Sequence, residues 1–222
     1  MDLLKQSEEP PTYAVGHLAL GYLSGKATSK ILNVNVNIPL LFLAAVMPDA
    51  DLLIPGLQHR GPTHPIIIFC LLFLPAFTLF RKRAKPYFLA LIQHSLIGDY
   101  LTVNTQLLWP IATNWYGLGI EITSLTNIFI EWTLFLISIT IILKTNDAWL
   151  LLQPHPSNPI LLVPALAILL PTFLNIPLPL PLELVIPHLI YLTFFTLSIL
   201  MDVRTRASTN TTSKTFSEEI SK

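Results

Sequence analysis

Residues 48–65 read "PDADLLIPGLQHRGPTHP" and gather two aspartates, two histidines and one arginine between two oily runs, "IPLLFLAAVMP" (38–48) and "HPIIIFCLLFLPAFTLF" (64–80). The apolar flanks have the length and character of buried or membrane helices, so the polar stretch reads as the turn between two of them. The whole chain fits this reading: 52% of its 222 residues are hydrophobic, 12% are charged and mean hydropathy is +0.61. Soluble domains average about 25% charged residues. The composition therefore predicts an all-α, polytopic membrane bundle.

Seven hydrophobic segments are candidate helices: about 12–31, 38–48, 64–80, 86–103, 125–143, 158–174 and 185–201. The first is only moderately apolar and the second is short. Short cytoplasmic loops collect Lys and Arg, and threading the chain seven times from an outer amino terminus places eleven of its thirteen basic residues inside. Only Lys5 and Arg60 fall outside. This topology predicts a multi-pass protein of the plasma membrane. It also brings polar residues of four segments to the extracytoplasmic face: His17, then Asp49 and Asp51, then His59, Arg60 and His64, then Asp99.

Formal net charge is zero and the one basic block is "RKRAK" (81–85), which leaves no stripe suited to nucleic acid. A single cysteine, Cys70, excludes an internal disulfide and any cysteine-based zinc motif. The start "MDLLKQSEEPPTY" has no signal-peptide pattern, so insertion is expected to rest on internal segments. Residues 1–111 are expected to form a site-bearing membrane core, 112–203 additional transmembrane helices, and 204–222 a disordered polar tail. The Pro-rich stretch "NIPLPLPLELVIP" (175–187) cannot be regular helix throughout and reads as an outer loop.

Asp and His are costly near a bilayer and there usually face a bundle interior or a water-filled cavity. Carboxylate oxygen and neutral imidazole nitrogen are ordinary zinc ligands, and "PDAD" with "HRGPTH" supplies four such side chains within sixteen residues. The same residues could instead make a polar turn, with Asp49 as a cap, Arg60 paired with Asp51 and His64 at the interface. His17, alone on its helix, fits either a ligand or a satisfied polar residue. His94 and Asp99 are five apart, about 140° around an α-helix, and share a site only if the helix is distorted. His155 and His188 read as structural. Glu131 in "NIFIEWTLF" is an acid within an apolar helix, suited either to supporting a metal or to a packing hydrogen bond.

"GHL" near the amino terminus, "PDAD", "HRGPTH" and "HSLIGDYLTVNTQLLWP" stand in the order that resembles the YdjM-like family of membrane-bound metal-dependent hydrolases. The resemblance covers roughly residues 14–111. It implies metal-ligand or catalytic roles for His17, Asp49, Asp51, His59, His64 and Asp99, with Arg60 and Thr63 in support. Two positions depart from the pattern. Pro65 stands where the family usually has Ser, and His94 precedes Asp99 by five residues where four is usual, which puts Ser95 in the expected register.

The combined expectation is a membrane hydrolase holding one to three divalent ions, zinc first, with His17, Asp49, His59, His64 and Asp99 as ligands and His94, Thr63 and Glu131 as further candidates. Asp51 is the expected general base or bridging carboxylate and Arg60 the stabiliser of a developing anion. The substrate class implied is a phosphoester, lipid or lipid-linked, and membrane lipids are the surroundings. The alternative is a non-catalytic divalent-ion transporter or membrane scaffold.

Overall fold

A computed structural model of the chain describes residues 13–54, 59–102, 104–174 and 179–220, with no side chain described at 52–53 or 207–220. It is helical, with no β-strand among the described residues. The helices are α1 (Ala14–Leu32), α2 (Ile38–Val46), α3 (Ile66–Phe80), α4 (Lys85–Gln93), α5 (Tyr100–Thr102), α6 (Leu125–Lys144), α7 (Asp147–Leu151), α8 (Leu162–Leu174) and α9 (Val185–Ile220). A 3-10 segment, Met47–Leu53, follows α2, and a π-helical turn, His94–Asp99, joins α4 to α5.

The ends of these elements follow from local chemistry. Asn37 caps α2 by accepting the Leu40 N–H at 3.1 Å, with Pro39 in the first turn, where its missing N–H costs nothing. Ser124 caps α6 in the same way through the Asn127 N–H at 3.2 Å. Pro48 and Pro65 sit at the start of the 3-10 segment and at the N-cap of α3, so proline punctuates both edges of the polar stretch.

α1 is the central helix. It packs on α2, α4 and α6, and Val15, His17, Leu18, Ala19 and Tyr22 are almost wholly enclosed. An aromatic cluster fills the core between α1, α2 and α9. There the ring centroids of Tyr22 and Phe42 are 5.7 Å apart and those of Phe42 and Phe195 4.9 Å, offset and edge-on arrangements that suit aromatic quadrupoles. α3 packs mainly on α4 and buries Phe69 alone, leaving Leu71, Leu72, Leu74, Leu79 and Phe80 exposed.

Two helices are long and apolar enough to cross a membrane: Leu125–Lys144 and Leu182–Arg206, while Asn158–Leu174 is a shorter apolar helix. Seven full-length crossings are therefore not what the structure draws. α2 has 9 residues and α3 has 15; the latter spans about 22 Å at 1.5 Å per residue, against a hydrocarbon core of about 30 Å. The prolines that bound these runs shorten them. Of the Pro-rich stretch, residues 175–178 lie outside the described residues; the rest passes through a 3-10 turn, Leu182–Leu184, straight into α9. The polar tail, expected to be disordered, continues α9 to Ile220.

Successive antiparallel helices put the amino end of α1, the carboxyl end of α2, the amino end of α3 and the π turn after α4 at one end of the bundle. The basic turn 81–85 and Lys144 lie at the other.

Candidate metal centre

Four chain segments meet at the first of these ends. His17 comes from the opening turn of α1, Asp49 and Asp51 from the 3-10 segment, His59, Arg60, Thr63 and His64 from the loop before α3, and His94 and Asp99 from the π turn. His64, His94 and Asp99 are fully buried, His17 is 1% exposed, and Asp49 and His59, each 16% exposed at the side chain, form the open edge.

Asp49 Oδ1 is the convergence point. His94 Nε2 lies 3.1 Å from it, His64 Nε2 3.6 Å and His59 Nε2 3.9 Å. Asp99 is the second focus, with Oδ2 3.5 Å from His64 Nε2 and 3.7 Å from His94 Nε2, and Oδ1 3.8 Å from His17 Nε2. Three sets of donor atoms lie within 4.8 Å of one another: His17–Asp49–His94, Asp49–His59–His64 and His64–His94–Asp99. Nε2 of His59 and of His64 are buried with no hydrogen bond.

The inward aim of these rings has a cause behind each one. His59 Nδ1 is held by Asp51 Oδ1 at 2.8 Å, and His94 Nδ1 donates to the Ala45 carbonyl at 2.7 Å. His64 Nδ1 meets Thr63 Oγ1 at 2.9 Å and lies 3.4 Å from Asp51 Oδ2, while Thr63 donates to that same oxygen at 2.5 Å. Outer partners of this kind fix the tautomer and orientation of imidazoles that bind metals. Burial by itself pushes the Asp51 carboxyl up, but the hydrogen bonds and charges of His59 and His64 outweigh it and hold Asp51 below the usual carboxylate range. Burial likewise disfavours charge on His64, yet Asp49, Asp51 and Asp99 push its pKa up to about 9.

The five-residue gap between His94 and Asp99 is resolved by the π turn. Widening one turn to i→i+5 hydrogen bonds stacks residues five apart, so both side chains reach one site. His94 itself, and not Ser95 in the usual register, joins the centre. His17 lies flat on His94, with ring centroids 3.8 Å apart and planes 15° apart. Gly98 makes room for that stack: a Cβ there would collide with the His17 ring.

Three expected roles sit elsewhere in the geometry. Asp51 stands behind His59 and His64, its oxygens committed to them and to Thr63. Arg60, at φ +61° and buried, puts Nε 3.4 Å from Asp99 Oδ1 and so pairs with Asp99, not with Asp51. Glu131 is buried on α6 and belongs to none of the three donor sets. Its carboxylate accepts the N–H of Gly16 in the first turn of α1, and a Cβ at Gly16 would come within 2.6 Å of Glu131 Oε1. It therefore caps α1 from a distant helix, one residue before His17. His155 is exposed and bonds Ser157 at 2.6 Å, and His188 donates to the Leu184 carbonyl at 2.7 Å; neither approaches the centre. Gly98, the Ala45 carbonyl and the capping function of Glu131 carried no signal in the sequence.

The donor set suits a divalent ion such as zinc, whose usual ligands are imidazole and carboxylate. The charges fit as well: three carboxylates, Asp49, Asp51 and Asp99, face a single guanidinium, Arg60. With neutral imidazoles, two negative charges are left for a dication to neutralise.

Fold and centre together describe an α-helical membrane protein with a buried His/Asp cluster able to hold metal. The sequence matches the YdjM inner membrane protein family over residues 13–178, and the chain belongs to that family. No curated protein and no solved structure matches it.

Proposed function

We propose that this is a multi-pass inner-membrane hydrolase that uses a divalent ion, zinc first among the candidates, to cleave a phosphoester in a lipid or lipid-linked substrate. The observation that carries this reading is the convergence of Nε2 from His59, His64 and His94 on Asp49 Oδ1, with the Nδ1 of each ring anchored from behind. His17, Asp49, His59, His64, His94 and Asp99 would share the ligand positions, one ion or two. Asp51 and Thr63 orient His59 and His64, and Arg60 balances the charge of Asp99.

A divalent ion bound here supplies Lewis acidity, which brings water near a neutral pKa and polarises a phosphoryl oxygen. Asp49 and His59, at the open edge, are placed to meet a substrate. The outer face is the natural location, since the basic residues gather at the opposite end. There the centre opens at the depth of lipid headgroups. α1 to α4 would cross as a packed group whose short members are shielded by their neighbours, beside the longer α6 and α9.

The deciding experiment counts metal in the purified protein by mass spectrometry and screens phosphodiesters and phosphomonoesters with and without added zinc. A variant carrying His59→Ala and His64→Ala should lose both metal and turnover. Stoichiometric metal in that variant would sink the ligand assignment. The near-complete burial of His94 and Asp99 favours a second reading, a divalent-ion pathway. Zinc flux in proteoliposomes that Asp99→Ala abolishes, with no hydrolysis of any substrate, would establish that reading instead.

A further inference from the structure

At the end of the bundle opposite the metal centre, the turn from α3 into α4 carries Arg81, Lys82, Arg83 and Lys85, all exposed. Among the described residues the Lys and Arg ion pairs belong to Lys26, Arg60 and Arg206, and none to these four. Residues 52–98 contain no Asp or Glu, so no neighbour in sequence offsets the charge. Arg81 holds φ +49° and ψ −122°, a sparsely populated conformation for a residue with a Cβ. Strain of that kind persists where surrounding structure imposes it, often at a ligand clamp.

Two apolar clefts run up to this turn from either side. The larger, about 830 Å³, lies between α2, α3 and α4, is walled by Leu40, Leu43, Leu72, Phe73 and Ala76, and runs from Asp51 and Thr63 to Arg83. The other, about 720 Å³, lies between the end of α1 and the α3–α4 pair. Ile31, Leu32, Phe77 and Phe88 line it, and Arg81, Lys82 and Lys85 rim it. Along α3 the first cleft runs from Ile68 to Phe80, about 18 Å at 1.5 Å per residue. The cleft continues beyond α3 to Pro62 and Thr63, so a chain of one leaflet's depth, about half of 30 Å, fits within it.

We propose that the turn binds the phosphate of an anionic phospholipid, with one acyl chain laid in each cleft. Charge selects the headgroup: a compact group of unpaired cations at a bundle's cytoplasmic end attracts anionic headgroups. The clefts select the rest of the molecule, because two apolar channels meeting at one cationic point match two chains joined at one phosphodiester. The cationic turn lies at the opposite end of the bundle from the metal centre, and although the larger cleft reaches back to Asp51 and Thr63, lipid binding at the turn is read out with or without turnover at that centre.

The test titrates delipidated full-length protein in detergent with dioleoylphosphatidylglycerol or dioleoylphosphatidylcholine and counts adducts by native mass spectrometry. Phosphatidylglycerol should bind the more tightly. Each cation near an anionic group is worth roughly fivefold, so Arg81→Ala/Lys82→Ala/Arg83→Ala should lose on the order of a hundredfold and with it the preference. Ala76→Trp, which fills the larger cleft without touching charge, should weaken both lipids and leave their ratio unchanged. Circular dichroism and elution volume identify any variant that misfolds, and the surface triple variant carries the test if Ala76→Trp does. Equal binding of the two lipids, or a preference that survives the triple variant, overturns the headgroup assignment. Unaltered affinity in a folded Ala76→Trp variant overturns the assignment of the cleft.

Discussion

Asp51 and His64 show how single residues set the chemistry of the centre. Asp51 is one of two carboxylates in "PDAD", yet its neighbour Asp49 faces three imidazole Nε2 atoms while Asp51 holds rings from behind. The two acids are two positions apart in a 3-10 segment, with about three residues per turn, so they leave the backbone in different directions. His64 gives a pH prediction. With its pKa pushed up to about 9, it is protonated at neutral pH in the metal-free protein, whereas a ligand must be neutral. Zinc binding must therefore expel that proton. Apparent zinc affinity should rise as pH increases from 6 to 8, with proton uptake by the buffer visible in calorimetry across buffers of different ionisation enthalpy. An affinity flat over that range would count against His64 as a ligand.

At the scale of elements, the π turn is the device that makes the centre possible. The motif carries one residue more between His94 and Asp99 than the family pattern it resembles, and a wider turn absorbs the extra residue so that Nε2 and Oδ2 still lie 3.7 Å apart. The α1 opening turn is placed as tightly. Glu131 of α6 caps it at Gly16, and Gly98 of the π turn receives the His17 ring. Gly98→Ala should push that ring off His94 and lower zinc affinity at least tenfold, since misplaced ligands and their supports cost 10–100-fold. Helix content by circular dichroism should stay unchanged. A Gly98→Ala protein that binds zinc like the parent would show that His17 is not a ligand.

Across the whole molecule, the bundle is fastened at both ends around α1. Beyond the His/Asp cluster, Lys26 pairs with Asp147 at 2.5 Å, and Tyr22 donates to the same carboxylate at 2.7 Å, tying α1 to α7. Asp147 is 1% exposed, so removing its cation strands a buried charge. Lys26→Ala should cost about 3 kcal/mol, read as a lower midpoint of unfolding in mixed micelles, and Asp147→Asn added to it should recover part of the loss. A single variant as stable as the parent would show that the pair contributes nothing. The sequence by itself determined the helical, membrane-type character, because composition and apolar runs depend on no partner. It also picked out Asp49, His59, His64 and the rest of the polar set, since charge in an oily chain is conspicuous wherever it lies, and it separated that set from the basic end. Only the tertiary structure decided which atoms face one another: that Asp51 backs the rings, that Arg60 meets Asp99, that Glu131 caps α1, and that His94 enters the centre. Those outcomes depend on side-chain direction and on hydrogen bonds between segments up to 115 residues apart, from Gly16 to Glu131, and local pattern carries no record of either.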